Sequence, residues 1–538
     1  MKGDTRRLLL ITCSALILFT YGLGTGTLWD QDEALYTDIA RHIAEGGDPF
    51  TLQSNGRPWF VHPPLFMWLQ AATGRVFGLT EFTARLWSAI AAAGAVAVTF
   101  LLARLLYDAR TGLFAAAVLA TMMQYLGQAR LAIFDPLLLV FVLLALYMYL
   151  VAYTTGSRRA HVWAWMWAGF AAATKGPIGL LLPGMVVVAL WIVRRDWSRW
   201  REIPWLGPAT FAVIGLPWYL IEAARHGQEF VRTAVGYYLV NRFFGVVENQ
   251  PGPWWYYVPV LLAGAFPWTG YLPLAAVYHV RRRDELASQV ILLWVGITVA
   301  FYSIAGTKLP NYLLPVYPLI AIGVARLALD ALDRRSADAP RLMRWAFALL
   351  LVGLAIFVAV AIVFGRVEYP AQLAALRSAV IVIVAVFVAG SVASLAAYLL
   401  GRPAIAVGAL VATVLVALPV LVHSTLPAIE ALRPLPRIAR TVRAAMRPGD
   451  ALAGVRMHTN ASLMYYARHP VLWIETPHQL AVALCRHDRI FLVVPEVHYR
   501  AWVEPLLPAA MEQRGQDGEF RLLSKTERTP CVGAWPAL

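Results

Sequence analysis

The chain has 538 residues, of which 59% are hydrophobic and only 14% are charged, and its mean hydropathy is +0.61. This composition excludes a soluble globular protein and indicates a polytopic membrane protein. The formal net charge of +15 is expected to reflect membrane topology and contacts with anionic lipids, and nucleic-acid binding is not expected.

Apolar runs long enough to cross a bilayer recur through the first 423 residues. Several of these runs are short or are separated only by Pro or Gly, so their number is open by one or two. We count about thirteen candidate spans, near residues 8–28, 84–106, 112–126, 132–153, 160–174, 177–193, 205–222, 256–278, 289–305, 310–329, 344–364, 377–399 and 403–423.

Positive charges predict the orientation, because Lys and Arg accumulate in short cytoplasmic loops. Lys2, Arg6 and Arg7 place the N-terminus in the cytoplasm, and the first span lacks the small-residue cleavage site of a signal peptide. With thirteen spans, the even-numbered connections are cytoplasmic, and they carry Arg104, Arg110, Arg158, Arg159, Arg194, Arg195, Arg281, Arg282, Arg283, Arg334, Arg335 and Arg402.

Two regions do not read as membrane spans. Residues 29–83 form a long outer loop with two apolar-faced helices, DEALYTDIARHIAEGG and FMWLQAATGRVFG, which we expect to lie along the membrane surface. From about residue 424 the composition becomes mixed. The strand-like runs ALAGVRM and RIFLVVP alternate there with the helix-like runs PRIARTVRAAM and HQLAVAL, which predicts a small outer α/β domain.

The chain has three cysteines. Cys13 falls in the first predicted span and is interpreted as an apolar filler. Cys485 and Cys531 both fall in the predicted outer domain, where an oxidising compartment would favour a disulfide between them. No CxxC, HExxH, Walker or GxGxxG motif indicates a metal or nucleotide site.

Charged residues gather at the predicted outer ends of the spans. A charge near the membrane boundary is costly unless it is paired or contacts a ligand. Their grouping on one side therefore predicts a site that opens outwards. The group comprises Asp30, Asp32, Glu33, His62, Asp135, Arg130, Lys175, Arg232, Arg242 and Lys308.

Five motifs in one order carry a family resemblance: WDQDEALYTDIARHI, RPWFVHPPLFMW, ARLAIFDPLLL, ATKGPIG and TKLPNYLLPVYPLIA. Together they resemble the polyprenyl-phosphate-dependent membrane glycosyltransferases, which include lipid A aminoarabinose transferases and protein O-mannosyltransferases. The resemblance implies an all-α polytopic membrane domain of GT-C type with about thirteen transmembrane helices, spanning residues 1–423. A small C-terminal periplasmic α/β domain would follow at 424–538.

The resemblance also implies which residues form the site. Asp32 would lie at the catalytic centre, with Glu33 and Asp135 as further catalytic candidates. A sugar leaves a polyprenyl phosphate as an anion, so cations that hold the phosphate would stabilise the transition state. The implied donor-phosphate residues are His62, Lys175, Arg242, Lys308 and Tyr312.

This chain departs from the aminoarabinose transferases at Val61-His62-Pro63-Pro64, where those proteins have Glu-Lys-Pro-Pro, and at Leu35, where they have arginine. The lost glutamate puts the metal site of that group in doubt, so no cofactor is expected, although a divalent metal stays open. If His62 replaces the lysine, a bound anion should raise its pKa.

Several assignments have structural alternatives, which the sequence leaves open. Asp30 and Glu33 have the D-x-x-E spacing of a helix capping box. His62 could be an interfacial residue before a Pro-Pro turn, and Asp135 could cap a helix that starts at a proline. Lys175 could extend to the lipid headgroups.

We expect a glycosyltransferase of the bacterial inner membrane. It would move a sugar, with inversion, from an undecaprenyl-phosphate-type donor to a lipid or glycolipid acceptor at the periplasmic face. Protein O-glycosylation is an alternative within the enzymes. A polyprenyl-lipid transporter or flippase is a second alternative, but it would need polar groups along the spans to the cytoplasmic side, whereas here they collect outside.

Overall fold

Helices make up most of the computed structural model, which describes residues 2–247, 250–333, 339–366, 374–508 and 510–525. The first half contains α1 (Lys2–Thr20), α2 (Asp32–Ala44), α3 (Leu65–Phe77), α4 (Glu81–Leu106), α5 (Ala109–Ala120), α6 (Met123–Gln128), α7 (Asp135–Thr155), α8 (Arg158–Lys175), α9 (Ile178–Arg194), α10 (Leu206–Gly215), α11 (Pro217–Phe230) and α12 (Arg242–Phe244). A π-helical segment, Val231–Asn241, joins α11 to α12.

The remaining helices of the apolar part are α13 (Tyr257–Gly264), α14 (Leu272–Val280), α15 (Leu286–Ile304), α16 (Tyr317–Leu332), α17 (Ala339–Arg366), α18 (Ala374–Leu399), α19 (Pro403–Val420) and α20 (Leu426–Ala431). A 3₁₀ segment, Pro310–Val316, leads directly into α16.

Six helical stretches of the described chain are long and apolar enough to cross a membrane, which establishes a multi-pass membrane protein. They are Glu81–Leu106, Asp135–Thr155, Leu286–Ile304, Pro310–Leu332, Leu376–Leu399 and Ala404–Ala431. The pair Leu206–Gly215 and Pro217–Phe244, bent by 48°, would make a seventh. The predicted count of thirteen is therefore not confirmed.

Three of the other predicted spans coincide with broken or short helices. The predicted span at 256–278 is divided into α13 and α14 around Pro267, whose ring removes a backbone donor and interrupts the helix. Ala109–Ala120 and Ile178–Arg194 are apolar helices of fewer than 18 residues.

The long outer loop contains both predicted helices, since α2 and α3 cover the two apolar-faced sequences. Between them, β1 (Gln53–Ser54) and β2 (Arg57–Pro58) form a two-stranded antiparallel hairpin. Trp218 and Glu222 of α11 hold this loop: the Trp218 indole donates to the Phe50 carbonyl at 3.0 Å, and Glu222 accepts from the Thr51 hydroxyl at 3.0 Å.

Residues 433–525, here called the C-terminal region, contain the predicted alternation of strands and helices. Its elements are α21 (Leu435–Ala445), β3 (Ala451–Val455), α22 (Ala461–Ala467), β4 (Val471–Ile474), α23 (Pro477–Arg486), β5 (Ile490–Pro495), α24 (Glu496–His498), β6 (Met511–Asp517) and β7 (Phe520–Lys525). The five strands form one sheet in the order β4-β3-β5-β7-β6, in which β3 is parallel to β4 and β5 and the other pairs are antiparallel.

One hydrophobic core joins the C-terminal region to the rest of the chain. Leu28, Ala34, Ala84 and Ala132 pack in the same cluster as residues of α21, α22 and the sheet. The C-terminal region is thus built onto the start of α2, beside the predicted catalytic aspartate.

Cys13 is exposed and is a free thiol. Cys485 lies in α23, whereas Cys531 lies outside the described residues. The disulfide between Cys485 and Cys531 therefore stays a prediction.

Candidate active site

A cavity of about 510 Å³ collects most of the predicted site residues. Asp32, His62, Lys175, Arg242 and Tyr312 all line it, although they come from five separate segments of the chain. The outer loop supplies the first two, and the helix ends and connections around α8, α12 and α16 supply the others. The cavity therefore brings one carboxylate, two basic side chains and aromatic surfaces together.

Asp32 is the first residue of α2 and faces this cavity. Its Oδ1 accepts a hydrogen bond from the hydroxyl of Tyr36, one helical turn later, at 2.9 Å. The Asp32 side chain is exposed to the open cavity, but the protein around the cavity desolvates it and raises its pKa above the ordinary value, against the opposing effects of the Tyr36 hydrogen bond and of the Lys175 and Arg242 charges. A carboxylate with a raised pKa is a better proton acceptor than one with an ordinary pKa.

Lys175 forms a buried ion pair with Asp135. The Lys175 Nζ lies 2.5 Å from Asp135 Oδ1, and the Asn311 side-chain amide donates to Asp135 Oδ2 at 3.2 Å. The Lys175 Nζ also lies 5.0 Å from the ring centroid of Phe134 and 5.1 Å from that of Tyr312. Aromatic faces and a single carboxylate thus hold the ammonium group at the cavity wall.

The ion pair also resolves the two alternatives for Asp135 and Lys175. Phe134 is the N-cap of α7, Asp135 is the first helical residue, and no side-chain hydrogen bond caps this helix. The predicted N-cap role of Asp135 is therefore wrong. Lys175 ends α8 next to Asp135 with only 11% of its side chain exposed, so it does not extend to the headgroups.

Arg242 is the second cation of the cavity. It follows the π-helical segment, and its Nε donates to the Tyr312 hydroxyl at 2.8 Å. The Tyr312 ring lies in a tilted contact with Tyr302, another residue of the wall, with the two ring centroids 4.8 Å apart. These contacts orient the Arg242 guanidinium. A guanidinium is a planar hydrogen-bond donor that is suited to binding an oxyanion.

His62 lies among aromatic rings. Its ring is 4.5 Å from Phe134 and 5.9 Å from Trp59, in edge-on contacts. Burial, together with the Lys175 and Arg242 charges, holds the pKa of His62 well below its ordinary value. Without a bound anion the protonated ring is therefore disfavoured, and the rise of its pKa on anion binding stays a prediction.

Glu33 does not line the cavity, although Asp32 precedes it. It is buried and pairs with Arg85, whose Nε and Nη2 lie 2.9 and 3.0 Å from its carboxylate oxygens. It also accepts from the backbone N–H of Trp29 at 2.9 Å and of Ala132 at 2.6 Å. The four contacts tie α2 to α4 and to the segment before α7.

The predicted capping box is also wrong. Gln31 is the N-cap of α2 and makes no side-chain cap. Asp30 instead accepts from the backbone N–H of Ser462 at 3.0 Å, in the C-terminal region.

Lys308, Arg130 and Arg232 do not line the cavity. The Lys308 ammonium donates to three backbone carbonyls at the end of α15, including that of Tyr302 at 3.0 Å. Arg130 donates to carbonyls at the end of α1, including that of Phe19 at 3.0 Å. Both cations thus satisfy the carbonyl ends of helices, where positive charge is favourable. Arg232 is exposed.

Four residues of the site were not singled out as site residues from the sequence. Tyr36, Trp59 and Phe134 form the aromatic surface around Asp32 and His62, and Asn311 supports Asp135. The i, i+4 spacing of Asp32 and Tyr36 on one helix was the available signal. The other three depend on the tertiary fold.

Val61 lines the cavity and has no group that binds a metal. Within the residues that the structure describes, no cluster of three or more His, Cys, Asp or Glu side chains could hold a metal ion.

The fold and the cavity define a class of protein: a multi-pass membrane protein whose site can stabilise an anionic leaving group beside a carboxylate base. Comparison with known proteins agrees. The family described as dolichyl-phosphate-mannose-protein mannosyltransferase matches residues 61–221. Its matched region contains His62, Asp135 and Lys175.

Two curated relatives are undecaprenyl phosphate-alpha-4-amino-4-deoxy-L-arabinose arabinosyl transferases. The protein from Pseudomonas paraeruginosa is 32% identical over 374 residues, which cover 66% of each chain. One from Pseudomonas fluorescens is 28% identical over 409 residues, covering 74% of this chain and 72% of the relative. The match thus spans about two thirds of the first relative.

The fold matches the crystal structure of ArnT from Cupriavidus metallidurans bound to undecaprenyl phosphate, with a TM-score of 0.83 and 23% identity. The alignment covers 98% of this chain and 99% of that one. The chain belongs to the GT-C polyprenyl-phosphate-dependent membrane glycosyltransferases.

Proposed function

We propose that the protein transfers a sugar from an undecaprenyl-phosphate-type donor to a lipid or glycolipid acceptor of the cell envelope. The observation that carries the proposal is the meeting of Asp32, Lys175 and Arg242 at one cavity. One carboxylate and two cations are what a direct displacement of a phosphate leaving group requires. The names of the curated relatives support the polyprenyl donor.

In the proposed reaction the acceptor hydroxyl gives its proton to Asp32. The acceptor oxygen attacks the anomeric carbon as the bond from that carbon to the phosphate oxygen breaks. The polyprenyl phosphate leaves with the bonding electrons, and Arg242 and Lys175 stabilise its charge. Attack opposite the leaving group inverts the anomeric configuration, and no second carboxylate on the other side of the bond is needed.

The other site residues have supporting roles in this proposal. Asp135 orients Lys175, and Tyr312 orients Arg242, through the hydrogen bonds described above. The neutral His62 ring serves as an uncharged hydrogen-bonding group beside the aromatic surface. Glu33 and Lys308 take no direct part in the transfer, since neither lines the cavity.

The proposal includes a topology. The N-terminus is cytoplasmic, about thirteen segments cross the inner membrane, and the cavity and the domain at 424–538 lie at the periplasmic face. The supporting observation is the alternation of arginine-rich connections along the sequence.

Mass spectrometry of a deletion strain tests the proposed function. Envelope lipids and glycoproteins are compared between the deletion strain, the strain complemented with the wild-type gene, and the strain complemented with Asp32→Asn. We expect a sugar-sized mass difference on a lipid that only the wild-type gene restores. Loss of the sugar from protein alone would replace the lipid acceptor by a protein, and identical envelopes in all strains would refute glycosyl transfer.

A further inference from the structure

The backbone that enters α2 is in a strained conformation directly before Asp32. Gln31 has φ 65° and ψ −100°, a region that glycine adopts readily and that other residues adopt at a cost. Such a conformation persists only where neighbouring contacts hold it. The contacts on both sides of Gln31 therefore decide where the Asp32 carboxylate points.

Contacts with the C-terminal region hold the chain on the N-terminal side of Gln31. The hydroxyl of Tyr466 accepts from the buried backbone N–H of Leu28 at 2.7 Å, and Arg433 donates to the Leu28 carbonyl at 2.7 Å. Asp30 accepts from the Ser462 N–H at 3.0 Å. Both polar backbone groups of Leu28 are thus satisfied by residues more than 400 positions away.

The contact between Leu28 and Tyr466 is buried, and those of Arg433 and Asp30 are partly buried. Leu28 is fully buried, and Tyr466 in turn donates to Glu81 Oε1 at 3.0 Å. Ser462 lies in the first turn of α22, where backbone N–H groups have no partner within the helix, and Asp30 satisfies one of them. The same side chains therefore complete α22 and fix residues 28–30.

We infer that the C-terminal region is a positioning element for the transfer reaction: Tyr466 and Ser462 of α22, with Arg433, hold residues 28–30 so that the strained turn at Gln31 directs Asp32 into the cavity. The inference rests on the proposed function of Asp32. Tyr466 acts through the backbone and is a positioning residue.

Tyr466→Phe tests the inference, because it removes one hydroxyl and leaves the packed ring. Tyr465→Phe is the matched control: the neighbouring hydroxyl makes only a 3.4 Å contact with the Leu79 carbonyl, after α3. Each variant is purified as the full chain and assayed for undecaprenyl phosphate affinity, for hydrogen exchange in peptides covering 28–33, and for restoration of the modified lipid per folded enzyme in the deletion strain.

For Tyr466→Phe we expect faster exchange at residues 28–33, unchanged undecaprenyl phosphate affinity, and product formation lowered by about 10- to 100-fold, as for a small displacement of a reacting group. Tyr465→Phe should match the wild type in all three measurements. A purely structural role would reduce the amount of folded enzyme without changing the rate per folded molecule.

The inference would be overturned if folded Tyr466→Phe formed product within about twofold of the wild type, because displacing a reacting group has a much larger effect. Should Tyr466→Phe not accumulate, Asp30→Ala, which removes only the contact with Ser462, supports or overturns it by the same measurements. Absence of product from the wild type would instead refute the proposed function, so the two failures are distinguishable.

Discussion

Replacing Lys175 by methionine removes the cation from a buried pair while keeping a side chain of similar length. Only 4% of the Asp135 side chain and 11% of the Lys175 side chain are exposed, and the two groups are 2.5 Å apart. Breaking a pair of this kind strands a buried charge and lowers the free energy of unfolding by about 3–5 kcal/mol. We expect this loss in Lys175→Met, measured by denaturant or thermal unfolding in detergent.

A second substitution separates stability from ligand binding. In Asp135→Asn/Lys175→Met no charge is stranded, and the new amide can still contact Asn311, so most of the stability should return. Undecaprenyl phosphate affinity should stay weakened in both variants by roughly 10- to 150-fold, the equivalent of about 1.5–3 kcal/mol for a lost charge-assisted hydrogen bond.

Recovery of both stability and undecaprenyl phosphate affinity in the double variant would contradict this prediction. If the double variant bound undecaprenyl phosphate as tightly as the wild type, Lys175 would serve only to neutralise Asp135. The phosphate would then have to be held by Arg242 or by other groups.

The remaining predictions concern four other features. Because the pKa of Asp32 is raised in the folded protein, ionisation of Asp32 opposes folding at neutral pH. Asp32→Asn should therefore raise the melting temperature at pH 7. This gain should vanish as the pH falls below the ordinary pKa of an aspartate. An unchanged melting temperature at pH 7 would contradict the raised pKa. Transfer by the wild type should increase as the pH rises through the raised pKa of Asp32, and a rate independent of pH there would argue against a base role. His62→Gln should keep undecaprenyl phosphate affinity between pH 6 and 8, since His62 is neutral; a large loss of affinity would show that the ring carries charge when the phosphate binds. Arg242→Ala should weaken that affinity by more than ten-fold, whereas an unchanged affinity would move the phosphate site away from Arg242. Cys485 and Cys531 should resist thiol labelling in protein denatured without reductant, and labelling of both would exclude the disulfide.

The sequence predicted the charged part of the site because its residues stand at segment ends and within motifs that resemble a family. Asp32, Lys175 and Arg242 are spread over more than 200 residues of the chain, yet each was singled out by its position at the outer end of an apolar run or in the outer loop. The α2 and α3 helices were predicted from their apolar periodicity, and two strands of the C-terminal sheet were predicted from strand-like runs of sequence.

Other features depend on contacts that no local pattern encodes. The D-x-x-E spacing of Asp30 and Glu33 predicted a capping box, but the buried guanidinium of Arg85 binds Glu33 and the backbone N–H of Ser462 donates to Asp30 instead, because buried polar groups take hydrogen-bond partners. Lys308 was placed in the site by its motif, whereas the nearby carbonyls at the end of α15 bind its ammonium group. The number of spans stays a prediction, because hydropathy along the sequence does not register where a proline divides a helix.

Single-turnover transfer by Asp32→Asn tests whether Asp32 is the base of the transfer reaction. Purified wild type and Asp32→Asn are incubated with a polyprenyl-linked sugar extract and envelope lipid acceptor, and the release of undecaprenyl phosphate is measured. The affinity of each protein for undecaprenyl phosphate is measured separately. We expect the two proteins to bind undecaprenyl phosphate equally, and we expect its release to be at least about 100-fold slower in Asp32→Asn, because a general base has been removed. Release at the wild-type rate by a variant that binds normally would contradict the role of Asp32.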